Sequence, residues 1–275
     1  MNQLEKIKKH EEMKQLSIYS YDVNKRQIAE GYNLLGVSPM DNGFYACVVR
    51  KGNDITIVYQ GTDFTKPQDY DDDIAMGLGK WPKQADNALD LYDYIKDEYP
   101  GCDVSVAGHS LGGSLAQIVG VLRNTTAVTF NAYGTKQIIK NRYGSMIDLN
   151  RKFENITNYT NPKDLLTTSN GKNQLGDCYE VMSKPEGGNP HLLETMESVK
   201  YCMPSSPEDL QMWGNKHKRE KEDFEYYLKT GRRMPINMSS SGCVGSYEVS
   251  GYTRSDGKKI DSYTRTCGAK HSGQR

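Results

Sequence analysis

The nine residues from Ser105 to Gly113, SVAGHSLGG, constrain the fold of this chain more than any other stretch. An apolar run precedes them, and residues 110–122 then have the composition of a buried helix. Gly108 and Gly112 flank Ser110 in the turn, where side chains would collide with the neighbouring strand and helix. The pattern predicts a strand, a sharp turn and a helix, with the serine hydroxyl exposed at the carboxyl end of the strand.

Strand and helix patterns alternate along most of the chain. Two β-rich runs flank residues 51–54 and predict a hairpin, and residues 83–99 predict an amphipathic helix. Short apolar runs at 127–130 and 156–159 predict further strands. Residues 1–35 carry apolar side chains at near-helical spacings and predict helix. Together these elements predict an α/β fold, with a mainly parallel sheet flanked by helices.

Composition divides the chain after Pro235. Hydrophobic residues make up 36% of the sequence, which is low for a globular domain and indicates that part of the chain lies outside a core. Residues 236–275 are rich in Ser, Gly, Lys and Arg, and the echo GYTRS and SYTRT around Asp256-Gly257 predicts a β-hairpin. We therefore expect a main domain over residues 1–235 and a small β-rich or flexible tail over residues 236–275.

Charge and cysteine content exclude several classes of function. Lys plus Arg and Asp plus Glu number 35 each, so no net field attracts nucleic acid. The six cysteines form no CxxC pair, which argues against a disulfide scaffold or a compact zinc site. Cys243, Cys267 and His271 supply too few ligands for zinc, although the two cysteines could pair after export. The acidic run at 69–73 lacks the ligand spacing of a calcium loop, so we expect no metal and no cofactor.

The N-terminal stretch, MNQLEKIKKHEEMKQ, has a cationic start without an apolar run behind it. It does not fit a Sec signal peptide, and no stretch of the sequence approaches the roughly 20 apolar residues of a membrane span. A cytoplasmic location is the expectation, and export by a route that needs no Sec signal stays open.

A serine nucleophile requires a base that is held by an acid. In α/β hydrolases these follow the serine in the order acid, then histidine. Asp164 lies in NYTNPKD after an apolar strand, which places it on a loop at a strand's carboxyl end. Asp164 is therefore favoured as the acid, with Asp148 and Asp177 as rivals.

Three histidines follow the serine. His217 lies in the charged run KHKREK and His271 in the polar tail, so His191, in NPHLLETM, is favoured as the base. The oxyanion of an acyl-transfer reaction also needs donors. The Leu111 amide at a helix N-terminus and Thr62 at the end of an early strand are the candidates.

Four segments together resemble the class 3 lipases, the fungal triglyceride-lipase-like branch of the α/β hydrolases. IVYQGTD, GHSLGG, NYTNPKDLL and PHLLETM stand in the order of the family's strand-(F/Y)RGT, GHSLGG, NxNDPV and His segments, over about residues 15–200. The resemblance implies a serine esterase that cleaves carboxylic esters of lipids at a membrane or lipid interface, as a lipase or a phospholipase A1 does. It implies the following roles: Ser110 nucleophile, Asp164 orienting acid, His191 base, Thr62 and Leu111 oxyanion hole.

The sequence departs from the family pattern in three places. Gln60 replaces the Arg before Gly-Thr, and the strand after the elbow ends FNAYGT rather than FGxPRVG. Residues 63–82, where this family has its lid, are acidic and only weakly amphipathic. On opening of the lid, its exposed large apolar residues are expected to meet an acyl chain or an interface: Ile74, Met76, Leu78 and Trp81.

Two other functions are compatible with the predicted fold. An acyltransferase or thioesterase would keep the fold and change the acceptor or the ester. A lipid-binding or partner-binding module without activity would need no serine, acid and histidine in this order. The tail over residues 236–275 is expected to bind an anionic surface, a protein partner or export machinery. The alternative is that it packs on the catalytic domain and stabilises it.

Overall fold

A computed structural model describes residues 3–61, 80–168 and 170–205, together with the backbone of four short strands between residues 246 and 266. The chain divides into two compact units, Met1–His217 and Lys218–Arg275. The composition places the domain limit at Pro235 instead. That position lies outside the described residues, so the predicted limits stay a prediction.

An eight-stranded sheet, with its strands in chain order, forms the centre of the first unit. The strands are β1 Asn33–Pro39, β2 Tyr45–Lys51, β3 Asp54–Tyr59, β4 Asp103–His109, β5 Thr126–Phe130, β6 Ile156–Thr160, β7 Asp177–Glu180 and β8 Met203–Ser205. Strands β3 to β7 are parallel. The pairs β1–β2, β2–β3 and β7–β8 are antiparallel. The predicted mainly parallel α/β sheet is confirmed.

Helices cover both faces of this sheet. They are α1 Gln3–Tyr19, α2 Gln84–Glu98, α3 Leu111–Arg123, α4 Lys136–Tyr143 and α5 Leu165–Thr168. Successive residues of β4 point to opposite faces. Val106 packs in the core cluster that contains Leu115 of α3, whereas Ala107 packs in the cluster that contains Met13 of α1. The carboxyl end of β4 is thus enclosed on both sides.

Helix α3 is almost entirely interior, since 11 of its 13 residues are buried. Full burial of each large apolar side chain stabilises the fold by about 1.5–3 kcal/mol. The helix ends where Asn124 adopts a left-handed conformation with a φ of 52°, which short polar residues tolerate. This packing fixes the N-terminus of α3 directly after Ser110.

The helix predicted over residues 1–35 is wrong in its second half. Helix α1 ends at Tyr19, and residues 33–39 form β1, the edge strand that pairs with β2. Leu34 and Leu35 are each 41% exposed on that edge. Their spacing continues the helical pattern, but pairing with β2 satisfies the backbone in an extended conformation, and such pairing overrides local propensity.

The second unit is described only by four strands. Backbone pairing joins β9 Ser246–Val249 to β12 Tyr263–Thr266, and β10 Tyr252–Thr253 to β11 Lys259–Ile260. Both antiparallel ladders are centred on position 256, the site of the turn that the sequence echo predicts.

Candidate active site

Ser110 lies in the turn between β4 and α3 with a φ of 57° and a ψ of −126°. This conformation is rare for a residue with a side chain. A Cβ at Gly108 would collide with the main-chain oxygen of Gly112, and a Cβ at Gly112 would collide with the main-chain oxygen of Tyr59. These contacts explain the glycines on either side of the serine.

Ser110, His191 and Asp164 form one hydrogen-bonded chain. The Oγ of Ser110 is 2.9 Å from Nε2 of His191, and Nδ1 of His191 is 2.8 Å from Oδ2 of Asp164. All three residues are at most 7% exposed. Because a carboxylate only accepts, Nδ1 carries the proton and Nε2 accepts from the serine hydroxyl. The structure therefore brings together the three residues that the sequence predicts, in an arrangement suited to removing the serine proton.

Asp164 is held on the carboxyl side of β6 by the turn that begins α5. Its amide donates to the main-chain oxygen of Asn161 at 2.9 Å, and its own main-chain oxygen accepts from the amide of Thr168 at 3.0 Å. Its carboxylate Oδ2 accepts a hydrogen bond from the hydroxyl of Thr167 in addition to the one from His191. These contacts fix the carboxylate towards His191. Asp148 and Asp177 are not part of this chain of hydrogen bonds.

His109, the residue before the serine, is a second buried histidine beside His191. The two ring centroids are 4.9 Å apart. Nε2 of His109 lies 2.7 Å from the main-chain oxygen of His191, and Nδ1 lies 2.7 Å from Oη of Tyr21. Nε2 therefore donates to the carbonyl, and Nδ1 accepts from the phenol. Burial, followed by repulsion from His191, lowers the pKa of His109 to about 3, so this ring is neutral at pH 7.

The predicted oxyanion donors are only partly described. Leu111 is the first residue of α3, and amides in the first turn of a helix have no acceptor within the helix. Thr62 lies outside the described residues. Its neighbour Gly61 is close to the serine, since a Cβ built on Gly61 would lie 3.0 Å from Cβ of Ser110 and 2.5 Å from Oη of Tyr21. The assignment of Thr62 stays a prediction.

The predicted lid, residues 63–82, lies outside the described residues except for positions 80–82. Trp81 is half-buried rather than exposed. Its ring lies 4.5 Å from the guanidinium carbon of Arg142 and packs edge-on against Tyr143. Its Nε1 donates to Asp86 at 3.1 Å. These contacts hold Trp81 against α2 and α4, and the predicted lid over residues 63–82 stays a prediction.

Sequence reasoning missed three residues around the base: Tyr21, His109 and Asn131. Asn131 donates to the main-chain oxygen of His191 at 2.9 Å. Its contacts join segments that are about 30 and 60 residues apart, so no local pattern reveals them. The signal for Asn131 in the sequence was its place in FNAYGT, directly after a buried strand, where the family pattern FGxPRVG has glycine.

Within residues 3–61, 80–168 and 170–205, no group of three His, Cys, Asp or Glu side chains is placed to hold a metal ion. The acidic run at 69–73 and the Cys243, Cys267 and His271 set lie outside these ranges. None of the helices described is long and apolar enough to cross a bilayer.

Comparison with known proteins finds sequence similarity to a phospholipase A1. The extracellular phospholipase A1 of Serratia liquefaciens is 27% identical over an alignment of 165 residues, which covers 54% of this chain and 51% of that protein. The chain thus spans about half the length of this curated relative.

Solved lipase structures are also similar. The Lip2 lipase of Yarrowia lipolytica is 14% identical, with a TM-score of 0.44, over 78% of this chain and 91% of that one. The Rhizomucor miehei lipase in complex with its propeptide is 16% identical, with a TM-score of 0.44, over 78% and 82% of the two chains.

A family model, the Tle-like phospholipase domain, matches residues 5–206. The match spans the whole eight-stranded sheet and every residue of the Ser110–His191–Asp164 chain. The lipase-like family indicated by the sequence motifs is thereby confirmed. The chain belongs to the family of Tle-like phospholipase domains.

Proposed function

We propose that this chain hydrolyses a fatty-acyl ester of phospholipids through an acyl-enzyme on Ser110. One observation carries the proposal: within a Tle-like phospholipase domain, the serine hydroxyl, the His191 ring and the Asp164 carboxylate are joined by hydrogen bonds of 2.9 and 2.8 Å. Because activation of a serine requires a base that is oriented by an acid, this arrangement supports catalysis rather than passive lipid binding.

In the proposed reaction, Oγ of Ser110 attacks the ester carbonyl carbon and its proton moves to Nε2 of His191. The tetrahedral oxyanion is stabilised by the Leu111 amide and by Thr62. When the bond to the alcohol breaks, Nε2 returns the proton to the lysophospholipid oxygen. Water then attacks the acyl-enzyme and gives its proton to Nε2 of His191. As the bond between the acyl carbon and Oγ of Ser110 breaks, Nε2 returns that proton to Oγ and the fatty acid is released. Asp164 keeps the proton on Nδ1 and stabilises the imidazolium.

The ester at the sn-1 position is the proposed target. The relative from Serratia is named as a phospholipase A1, and we extend that selectivity to this chain as part of the proposal. Cleavage at sn-1 releases one fatty acid and leaves a 2-acyl lysophospholipid.

The test uses vesicles of 1-palmitoyl-2-oleoyl-phosphatidylcholine, with the protein and its Ser110→Ala variant in parallel. The expected products are palmitate and the 2-oleoyl lysophospholipid, and the variant should lose at least about a thousandfold in turnover. Oleate in place of palmitate would contradict the sn-1 assignment. Acyl transfer to an added alcohol without free palmitate would indicate an acyltransferase, and the absence of both products would overturn the proposal.

The place of action is part of the same proposal. The Serratia relative is described as extracellular, and we infer that this chain also acts on lipids outside the cell that makes it. Antibody detection in the culture medium, with a cytoplasmic marker as the lysis control, tests this. Protein found only with the cell pellet would contradict it. The binding of a partner or export machinery by residues 236–275 stays a prediction.

A further inference from the structure

Asn131 is the first residue after β5, at the position where the chain departs from the fungal lipase pattern. It is 1% exposed and has a φ of 46°. The pattern FGxPRVG has glycine at this position, where the sequence has Asn in FNAYGT. Glycine meets the demand of a positive φ at no steric cost, whereas asparagine only tolerates it. The backbone conformation alone therefore does not explain why a side chain is present.

The polar atoms of the Asn131 side chain join three separate segments. Its Nδ2 donates to the main-chain oxygens of Pro190 and His191, at 3.0 and 2.9 Å. Its Oδ1 accepts from the amide of Asn161 at 2.8 Å. One side chain thus connects the end of β5, the turn that carries Asp164 and the loop that carries His191.

The main-chain oxygen of His191 is held from two strands of the sheet. His109, at the end of β4, donates to it at 2.7 Å, and Asn131, after β5, donates to it at 2.9 Å. Both donors are buried. A carbonyl with two buried donors has little freedom to move, because leaving either donor unpaired costs free energy. The imidazole of His191 is therefore carried by a fixed piece of backbone.

We propose that Asn131 is a positioning residue that sets the distance between Nε2 of His191 and Oγ of Ser110. This inference rests on the proposed function, in which His191 is the base. Asn131 touches neither the serine nor the imidazole in the described contacts. It acts by tying the backbone of the base to the turn that carries the acid, so that the imidazole meets Ser110 and Asp164 together.

The decisive variant is Asn131→Gly, since glycine keeps the positive φ and removes only the side chain. Hydrolysis of p-nitrophenyl butyrate, a soluble ester, is measured for this variant, for His191→Ala and for the double variant. We expect Asn131→Gly to lower kcat about 10- to 100-fold with KM nearly unchanged, because small misplacements of a catalytic group have effects of this order. In the His191→Ala background the same substitution should change the residual rate by less than about twofold.

Asn155 provides a matched control. Its Nδ2 also donates to two main-chain oxygens, those of Gly120 and Thr125, at 2.9 and 2.7 Å. Asn155 lies directly before β6, at the amino ends of the parallel strands, whereas Asn131 lies at their carboxyl ends. Asn155→Ala should destabilise the fold and leave kcat unchanged. Thermal unfolding of both variants separates a loss of folded protein from a loss of positioning.

The kinetic results either support or overturn the positioning role of Asn131. A loss of kcat on Asn131→Gly that disappears in the His191→Ala background supports the inference. A similar loss in both backgrounds, or no loss in the wild-type background, overturns it. If His191→Ala is itself as active as the wild type, the base assignment within the proposed function fails, which is a separate result from a failure of Asn131.

Discussion

The parallel strands begin at one side of the sheet, the amino edge, and end at the other, the carboxyl edge. The two edges use the same kinds of polar residue in different ways. At the amino edge, Thr125 donates to the main-chain oxygen of Val104 at 2.7 Å, and Asn155 donates to those of Gly120 and Thr125. These bonds close loops onto strands. At the carboxyl edge, the polar side chains also bond to one another, as in the chain from Ser110 to Asp164.

Backbone strain occurs at both edges. At the carboxyl edge Ser110 has a φ of 57° and Asn131 a φ of 46°, and at the amino edge Asn124 has a φ of 52°. Such conformations cost of order 1–3 kcal/mol each and persist where the surroundings impose them. The comparison teaches that hydrogen bonds to carbonyls stabilise both edges, but only at the carboxyl edge do they hold the backbone of a residue that can accept a proton. Loss of a side chain should therefore reduce stability at one edge and activity at the other.

The largest effect is expected for His191→Ala at the carboxyl edge. Removal of the base should lower the turnover of p-nitrophenyl butyrate at least about a thousandfold, while circular dichroism stays that of the folded protein. His217→Ala is the control. Near-normal activity of His191→Ala together with inactivity of His217→Ala would move the base out of this edge.

Asp164→Asn should have the next largest effect. The amide of asparagine would donate to Nδ1 of His191 and favour the tautomer that carries its proton on Nε2, which blocks acceptance from Ser110. Turnover should fall about a hundred- to thousandfold. Helix α5 should persist, because asparagine also begins helices well. Asp148→Asn and Asp177→Asn are the matched controls, and inactivity of either one with an active Asp164→Asn would contradict the assignment.

The dependence of stability on pH should also report on the carboxyl edge. His109 faces His191 and Asp164, and burial lowers its pKa from 6.5 to about 3. As pH falls below 6.5, the unfolded chain binds a proton at His109 that the folded chain does not bind, so the stability present above pH 6.5 is lost on acidification.

His109→Gln removes the titratable imidazole and so isolates the contribution of His109 to the pH dependence of stability. Urea unfolding at pH 7, 6, 5 and 4 should give a free energy of unfolding that falls less steeply in the variant, by about 1.4 kcal/mol per pH unit. The buried His10, whose pKa is also lowered to about 3 by burial, is present in both proteins and cancels from the difference. Parallel curves would show that folding does not shift the pKa of His109.

The smallest effect is expected for Asn155→Ala at the amino edge. Loss of its two bonds to carbonyls should reduce the free energy of unfolding by about 1–3 kcal/mol, since buried acceptors lose their donor. Turnover of the soluble ester should stay within about twofold of the wild type. Urea unfolding and the ester assay on one preparation test both statements. A large loss of turnover at unchanged stability would erase the distinction between the edges.

Much of the candidate site followed from local sequence. The strand, turn and helix around Ser110 were predictable because glycines and apolar runs act over a few residues. The acid and the base were predictable because their order after the serine is a property of the fold, and the structure places Asp164 and His191 within hydrogen-bond reach. The short strands β7 and β8 have too few residues for a periodic signal, and the sequence analysis did not predict them.

Other features depended on tertiary contacts. The sequence by itself determined the parallel sheet, the turn at Ser110 and the identity of the three residues in the hydrogen-bonded chain. Tertiary structure decided that Leu34 and Leu35 lie in a strand, that Trp81 packs against Arg142, and that His109 and Asn131 hold the carbonyl of His191. The physical reason is range: periodicity and turn chemistry act between near neighbours, whereas these contacts join residues far apart in the chain, whose meeting depends on how the whole sheet is assembled.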